Sequence, residues 1–252
     1  MPKVIALAGK GGVGKTTTTA LLIKYLLSRG KTPVLAVDAD ANANLNELVG
    51  LAVGLTIGQV RKELKSELPP GMTRDQYMQM KIHQALVEAP GFDLLCMGQP
   101  DGPGCYCAAN QYLAMTMDHL AANYQYILVD NEAGMEHLSR MNLRVIDLLL
   151  VVSDPSARGI MTAERIAALT GPLGVQTGRK YLLVNRTPSP PSPALTARID
   201  EATTKSDLEP GGLLPQSDSL AEWELAGRSY LELPESEPTV AAAFAIFDRI
   251  LA

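Results

Sequence analysis

The 252-residue chain predicts an α/β fold: a mostly parallel central sheet flanked by helices in an α/β/α three-layer arrangement. Three observations carry this. Short apolar runs rich in β-branched residues alternate with stretches of helical periodicity. No apolar run approaches the roughly 18 to 20 residues of a membrane span. The 46% hydrophobic content over this length can bury a sizeable core without cross-links. With no internal repeat and no linker long enough to divide the chain, residues 1–252 are expected to form one domain.

Val4–Ala8 reads as the first buried strand. Thr16–Ser28 reads as the helix after it, because Leu21, Leu22, Tyr25 and Leu26 recur at helical spacing and Gly30 supplies a stop. Val34–Val37, Leu94–Met97, Tyr126–Val129, Ile146–Val152 and Tyr181–Val184 have the length and composition of further buried parallel strands. Leu55–Pro90 is helix-prone and carries Met72, Met78 and Met80, side chains suited to filling gaps in a core or interface. Thr187–Pro193, dense in proline and serine, reads as a surface loop after a strand. Thr239–Leu251 is apolar on one side with Arg249 as its one cation, the pattern of a packed terminal helix and not of a basic membrane-surface helix.

Composition narrows the setting. The net charge is −5 and no block of lysine and arginine offers a grip for a phosphate backbone, so neither nucleic acid nor a membrane surface is the expected partner. Three cysteines are too few, and odd in number, for a disulfide framework. The opening MPKVIALAGK lacks the charged-then-apolar layout of a signal peptide. A cytoplasmic protein is expected.

Directly after the first strand, Gly9-Lys-Gly-Gly-Val-Gly-Lys-Thr-Thr17 fits G-x-x-x-x-G-K-[ST]. Small residues are needed because the backbone N–H groups from Gly11, Gly12, Val13 and Gly14 through Lys15, Thr16 and Thr17 must wrap a phosphate at a helix N-terminus, where the dipole also favours anions. Lys15 can then reach β- and γ-oxygens, and the Thr16 hydroxyl can ligate Mg²⁺. The loop implies a P-loop protein that binds nucleoside phosphates with Mg²⁺; that these are ATP and ADP is what the resemblance given below implies. Lys10 is a second lysine where such a loop has no charge requirement. It is either a solvated surface lysine or one that points across a two-fold axis at a partner's nucleotide, offsetting charge that develops in phosphoryl transfer.

The second strand runs into Val37-Asp-Ala-Asp-Ala-Asn-Ala-Asn-Leu45, with two carboxylates just past a strand's carboxyl end, where open α/β sheets place ligands. Asp40 is the candidate for orienting the attacking water and Asp38 for the Mg²⁺ shell; the same run can also cap a helix that starts near Asn44. Tyr126-Ile-Leu-Val-Asp130 is four apolar residues ending in an acid, which puts Asp130 beside the loop's Mg²⁺, and Gly134 can let the backbone approach the γ-phosphate. Asn185, with Arg186, follows a strand; an Asn there can hydrogen-bond the N6 and N7 edge of adenine or serve as a plain turn residue.

Cys105 and Cys107 stand two apart in a small-residue loop. Two thiolates do not close a tetrahedral metal site, which takes four ligands, but a two-fold dimer brings four sulfurs together. Soft thiolates suit Zn²⁺, Cu⁺, iron–sulfur or Ni²⁺, and geometry alone names zinc first. Cys96 ends an apolar strand and reads as a small buried hydrophobe. His119 and His137 are lone histidines, each either structural or on a metal path.

The loop with its extra lysine resembles the deviant-Walker-A ATPases: the nitrogenase iron protein, the Min and Par ATPases and several metal-centre maturation ATPases. The resemblance implies that Lys10 acts across a nucleotide-sandwich homodimer and supports Asp40 in the first switch. It also implies that Asn185, with Pro215 in the Leu213–Asp218 segment, walls the base pocket. The cysteine loop and Asp130-Asn-Glu-Ala-Gly-Met-Glu-His-Leu-Ser139 are most similar to the nickel-insertion ATPases that mature carbon monoxide dehydrogenase and acetyl-CoA synthase. This second resemblance implies an ATP-hydrolysing metallochaperone that holds Ni²⁺, or Zn²⁺, between Cys105 and Cys107 of two subunits and delivers it to a client nickel enzyme. Two alternatives are an iron–sulfur electron-transfer ATPase, whose family cysteines are widely separated in sequence, and a Par- or Min-type positioning ATPase.

Overall fold

The computed structural model describes residues 1–63, 69–99, 105–132 and 145–252, with only the backbone described for 74–75 and 105–110. Its centre is an eight-stranded sheet: β1 (Lys3–Gly9), β2 (Val34–Asp38), β3 (Leu86–Ala89), β4 (Phe92–Cys96), β5 (Tyr126–Asp130), β6 (Val145–Ser153), β7 (Gln176–Thr187) and β8 (Glu209–Pro215). The spatial order is β3-β4-β2-β5-β1-β6-β7-β8, and every pairing is parallel except β3 with β4. The inner strands are continuous apolar runs because helices cover both of their faces; every residue of β2 is buried.

On one face lie α1 (Lys15–Ser28), α2 (Leu45–Val49) and the last helix; on the other lie α3 (Ile57–Glu63), α4 (Arg74–Ala85), α5 (Cys105–Leu120), α6 (Ala157–Leu169) and α7 (Pro193–Lys205). The short α8 (Asp218–Leu225) and a 3₁₀ turn at Tyr230–Glu232 lead into α9 (Pro238–Ile250). Two apolar cores result. Leu35, Val37, Leu95, Val129, Leu149 and Val151 point into one, while Ile5, Leu7, Leu94, Leu128, Leu150 and Leu183 point into the other, with the alternation of a pleated strand.

The expected parallel strands are all present, and Met72, Met78 and Met80 pack against the first core as gap-fillers. Leu55–Pro90 is not helical throughout. After α4 the chain turns into edge strand β3, which folds back on β4 through Pro90 and Gly91, the glycine at φ +82. Strand β8, Glu-Pro-Gly-Gly-Leu-Leu-Pro, lies outside the expected strands; its proline and glycines suppress strand propensity and are tolerated because it pairs on one side only. Of the segment expected as a loop, residues 188–192 are one, Thr187 ends β7 and Pro193 opens α7; the Ser192 hydroxyl accepts the Leu195 N–H and caps that helix.

The terminal helix is packed. Phe244 and Phe247 meet the Tyr25 ring of α1 at centroid distances of 5.4 and 5.5 Å, and the Tyr25 hydroxyl donates to Asp248 (2.8 Å). Seven residues of α9 are buried, so its apolar face is occupied by α1 and β8. Among the described residues no helix is long and apolar enough to cross a membrane.

Candidate functional site

The carboxyl ends of β1, β2, β5, β6 and β7 converge on one edge, where a cavity of about 830 Å³ is lined by Gly12, Lys15, Thr16, Asp40, Asn131 and Arg186 among others. This is the edge at which open parallel sheets bind ligands.

The phosphate loop joins β1 to α1. Gly14 caps α1 at φ +93, and a Cβ there would meet Asn185 Nδ2 at 2.1 Å, so both conformation and space require glycine. The N-terminal N–H groups of α1 therefore open onto the cavity with no capping side chain in front of them. Lys15 is buried and its Nζ donates to the Lys10 carbonyl (3.3 Å), closing the loop on itself. Desolvation lowers the pKa of Lys15, opposed in turn by the charges of Asp130, Asp40 and Glu132. Lys10 is exposed on the loop's outer rim.

Two acids sit side by side behind the loop, because Asp38 and Asp130 are register partners at the ends of β2 and β5. Burial pushes Asp130 up to about 7; the neighbouring Asp38 charge adds to this, while the Thr16 hydroxyl, Lys15 and the Thr19 hydroxyl oppose it. Burial likewise raises Asp38 to about 6 against the pull of backbone N–H groups. Asp130 Oδ1 is buried without a hydrogen-bond partner. An oxygen in that state beside the Thr16 hydroxyl fits a hard divalent cation such as Mg²⁺, and Thr16 and Asp130 are the residues that would hold one.

Asp38 also has a local structural task, the capping that the 37–45 run allows. Its Oδ2 accepts the Leu45 N–H (2.9 Å) and its Oδ1 the Asp40 N–H (3.1 Å), so Asp38, and not Asn44, satisfies the start of α2 and fixes the 39–45 turn. That turn holds Asp40, half-buried, on the cavity wall, with its Oδ1 accepting the Asn42 N–H (2.9 Å).

From the other side β7 ends in a register shift with Arg186 at φ +54. The turn sets Asn185 Nδ2 to donate to Val13 O (2.9 Å) and Arg186 Nη1 to Gly12 O (3.1 Å), bracing the loop from both sides. An amide has two N–H donors and an oxygen with two lone pairs. The Arg186 N–H takes one lone pair of Asn185 and Val13 one donor, which leaves one of each. Asn185, Arg186, Pro215, Gln216, Ser217 and Asp218 line a smaller recess of about 310 Å³ beside the loop, which brings together the residues expected to wall a base pocket.

Cys105 opens α5, and its side chain and that of Cys107 are outside the described residues, as are Gly134 and His137 entirely. His119 is exposed fourteen residues along α5 from Cys105, roughly 21 Å at 1.5 Å per residue, too far to share a metal with it within one chain. Cys96 is buried at the end of β4 with its thiol pushed up to about 12 by burial, an inert core residue.

Some of the site lies outside the residues to which the sequence assigns a role. Asn131, Glu224 and Arg228 line the cavity, with Arg228 stacked 3.5 Å over Trp223 and Glu224 accepting from the Tyr230 hydroxyl (2.7 Å). The last four come from the segment after β8, which only the fold brings to the loop.

The loop, the paired acids and the parallel sheet define the class: a P-loop nucleotide-binding protein. Comparison with known proteins narrows it further. Residues 4–230 match the CobQ/CobB/MinD/ParA nucleotide binding domain, and the chain belongs to that family. It is 40% identical over 253 residues to an uncharacterized ATP-binding protein of Methanocaldococcus jannaschii, covering 98% of each chain. It is 32% identical over 187 residues to the carbon monoxide dehydrogenase accessory protein CooC of Rhodospirillum rubrum, covering 69% of this chain and 71% of that one. Among solved structures, the cell division ATPase MinD of Pyrococcus furiosus matches with a TM-score of 0.74 at 21% identity over 100% of both chains, a likeness of fold.

Proposed function

We propose that the chain is a Mg²⁺-dependent ATPase that works as a nucleotide-dependent homodimer and carries a nickel ion, as cargo, to a client enzyme of the carbon monoxide dehydrogenase or acetyl-CoA synthase kind. The observation that carries the reading is a Cys105-x-Cys107 pair at the start of α5 in a chain whose relatives include a carbon monoxide dehydrogenase accessory protein. A helix N-terminus favours anions, which suits thiolates, and two subunits supply the four sulfurs of a closed site.

In the catalytic step Lys15 and the loop N–H groups hold the β- and γ-phosphates. Lys10 of one subunit faces the nucleotide of the other, and Asp40 orients the attacking water. Bound Mg²⁺ supplies charge neutralisation between the phosphates. Binding of ATP fixes the 39–45 turn and loss of the γ-phosphate releases it, which couples metal affinity to nucleotide state.

Native mass spectrometry tests the cargo site. One metal per dimer is expected, lost in Cys105→Ser, whereas a metal-bound monomer overturns the shared site. Client activation at limiting nickel, with and without this protein, tests delivery. The family also supports a positioning ATPase of the Min or Par kind, but the helix that such a role would place on a membrane has its apolar face buried against α1.

A further inference from the structure

Asn131, the residue after the β5 acid, is 2% exposed and lines the phosphate cavity. Its amide is held rigidly from one side: Nδ2 donates to Leu7 O of β1 at 2.7 Å and to Val129 O at 3.3 Å. Both amide hydrogens therefore have acceptors in the sheet, and the amide plane is fixed by two strands. The oxygen at the other end of that plane is buried and has no hydrogen-bond partner. Leaving such an oxygen bare is costly, and a sequence avoids it unless something fills the position.

The chemistry of the atom limits what fills it. Oδ1 is acceptor only, so a phosphate oxygen, itself an acceptor, is repelled, and the partner is either a hydrogen-bond donor or a cation. Its neighbour across the sheet identifies the donor. The Ala39 N–H donates to Asp130 O at 2.9 Å, tying the ends of β2 and β5 together, and the next residue on each chain, Asp40 and Asn131, lines the same cavity. Two acceptors on two adjacent strand ends match the two O–H groups of one water.

We infer that Asn131 is a catalytic residue for ATP hydrolysis: its Oδ1 accepts one hydrogen of the attacking water while Asp40 accepts the other, which aims the water's lone pair at the γ-phosphorus. This rests on the proposed hydrolysis. A new P–O bond forms to the water oxygen as the bond between the γ-phosphorus and the bridging oxygen of ADP breaks. One water proton passes through Asp40 to the departing phosphate, and Asn131 takes none. Its part is geometric, holding the nucleophile within a narrow cone, the kind of constraint that a preformed rigid acceptor supplies at no reorganisation cost.

The test is Asn131→Ala in the full chain, with ADP affinity, affinity for ADP with aluminium fluoride, and steady-state ATP turnover. The expected result is a kcat lowered about 10²-fold, as for loss of one fixed partner of a reacting group. The transition-state mimic, which carries an in-line water, should weaken by a similar factor, while ADP affinity and KM stay within about twofold. A kcat within about threefold of the parent overturns the inference, and so does an equal loss in ADP affinity, which reduces Asn131 to a brace for β1. A raised Mg²⁺ requirement for ADP binding also overturns it, by placing Oδ1 on the cation. If Asn131→Ala fails to fold, Asn131→Val, which removes the acceptor on a strand-compatible backbone, is read by the same ratio of mimic to ADP affinity. A parent protein that binds ATP without turning it over defeats the hydrolysis reading itself, whereas a turning-over parent matched by the variant defeats only the role of Asn131.

Discussion

Replacing Asp130 by Asn should stabilise the free protein while weakening its Mg²⁺-dependent function. Asp130 is 1% exposed, and its carboxyl is raised from the ordinary 3.8 to about 7 by burial first and by Asp38 second. The folded chain thus holds this proton more tightly than the unfolded chain does. The resulting stability is complete below about pH 4 and is lost as pH climbs through about 7. A carboxyl raised that far corresponds to roughly 4 kcal/mol at most, and about 2–4 kcal/mol is the working range with Lys15 and two hydroxyls opposing the effect of burial. Asn keeps an oxygen beside the Thr16 hydroxyl and removes the ionisation. In a chain of this size that range is worth roughly 5–15 °C in melting temperature. Thermal melts in chelator at pH 8 should therefore place Asp130→Asn above the parent, with the two curves converging near pH 4. Addition of Mg²⁺ and ADP should reverse the order at pH 8, because the parent gains a cation and the variant does not. A variant that melts below the parent at pH 8 without Mg²⁺, or a difference that ignores pH, would refute burial of like charges as the cause.

Gly14→Ala meets Asn185 Nδ2 at 2.1 Å in a left-handed conformation and should abolish ADP binding, measured by isothermal titration, with the melting temperature lowered as well. Phe247→Ala removes a fully buried ring from the α1–α9 contact and should cost about 3–5 kcal/mol in denaturant unfolding, with ADP affinity of the folded protein unchanged. Lys10→Ala should retain ADP binding in one subunit and lose ATP-dependent dimerisation in analytical ultracentrifugation, since Lys10 is exposed at the rim and takes part in loop closure only through its backbone carbonyl.

The sequence states the site where chemistry constrains a short stretch. Gly9, Gly14, Lys15 and Thr16 are tied together by one loop, and the strand ending at Asp130 is named by its apolar run, so both are legible without a fold. Asp38 and Asp40 are legible as a pair, but that Asp38 accepts the N–H opening α2 is not, because that contact depends on the turn that follows. Asn131 is legible only as part of the Asp130–Ser139 segment; how its amide is held is not, because it donates to Leu7 on a strand more than a hundred residues earlier. Strand β8 is hidden for a local reason, since proline and two glycines suppress the pattern that pairing with β7 overrides. The Glu224–Arg228 segment is hidden for a global one, because it reaches the loop only after all eight strands are laid down.

Asn185 has a consequence for anyone redesigning this site. The side chain that touches Val13 and lies against Gly14 is also a wall of the recess expected to take the base. Base preference and phosphate-loop shape are therefore not independent variables in this protein. A substitution chosen to admit a different nucleotide will also change the resting geometry of the loop, and a library screened for altered specificity at that position will return its hits with their turnover already changed.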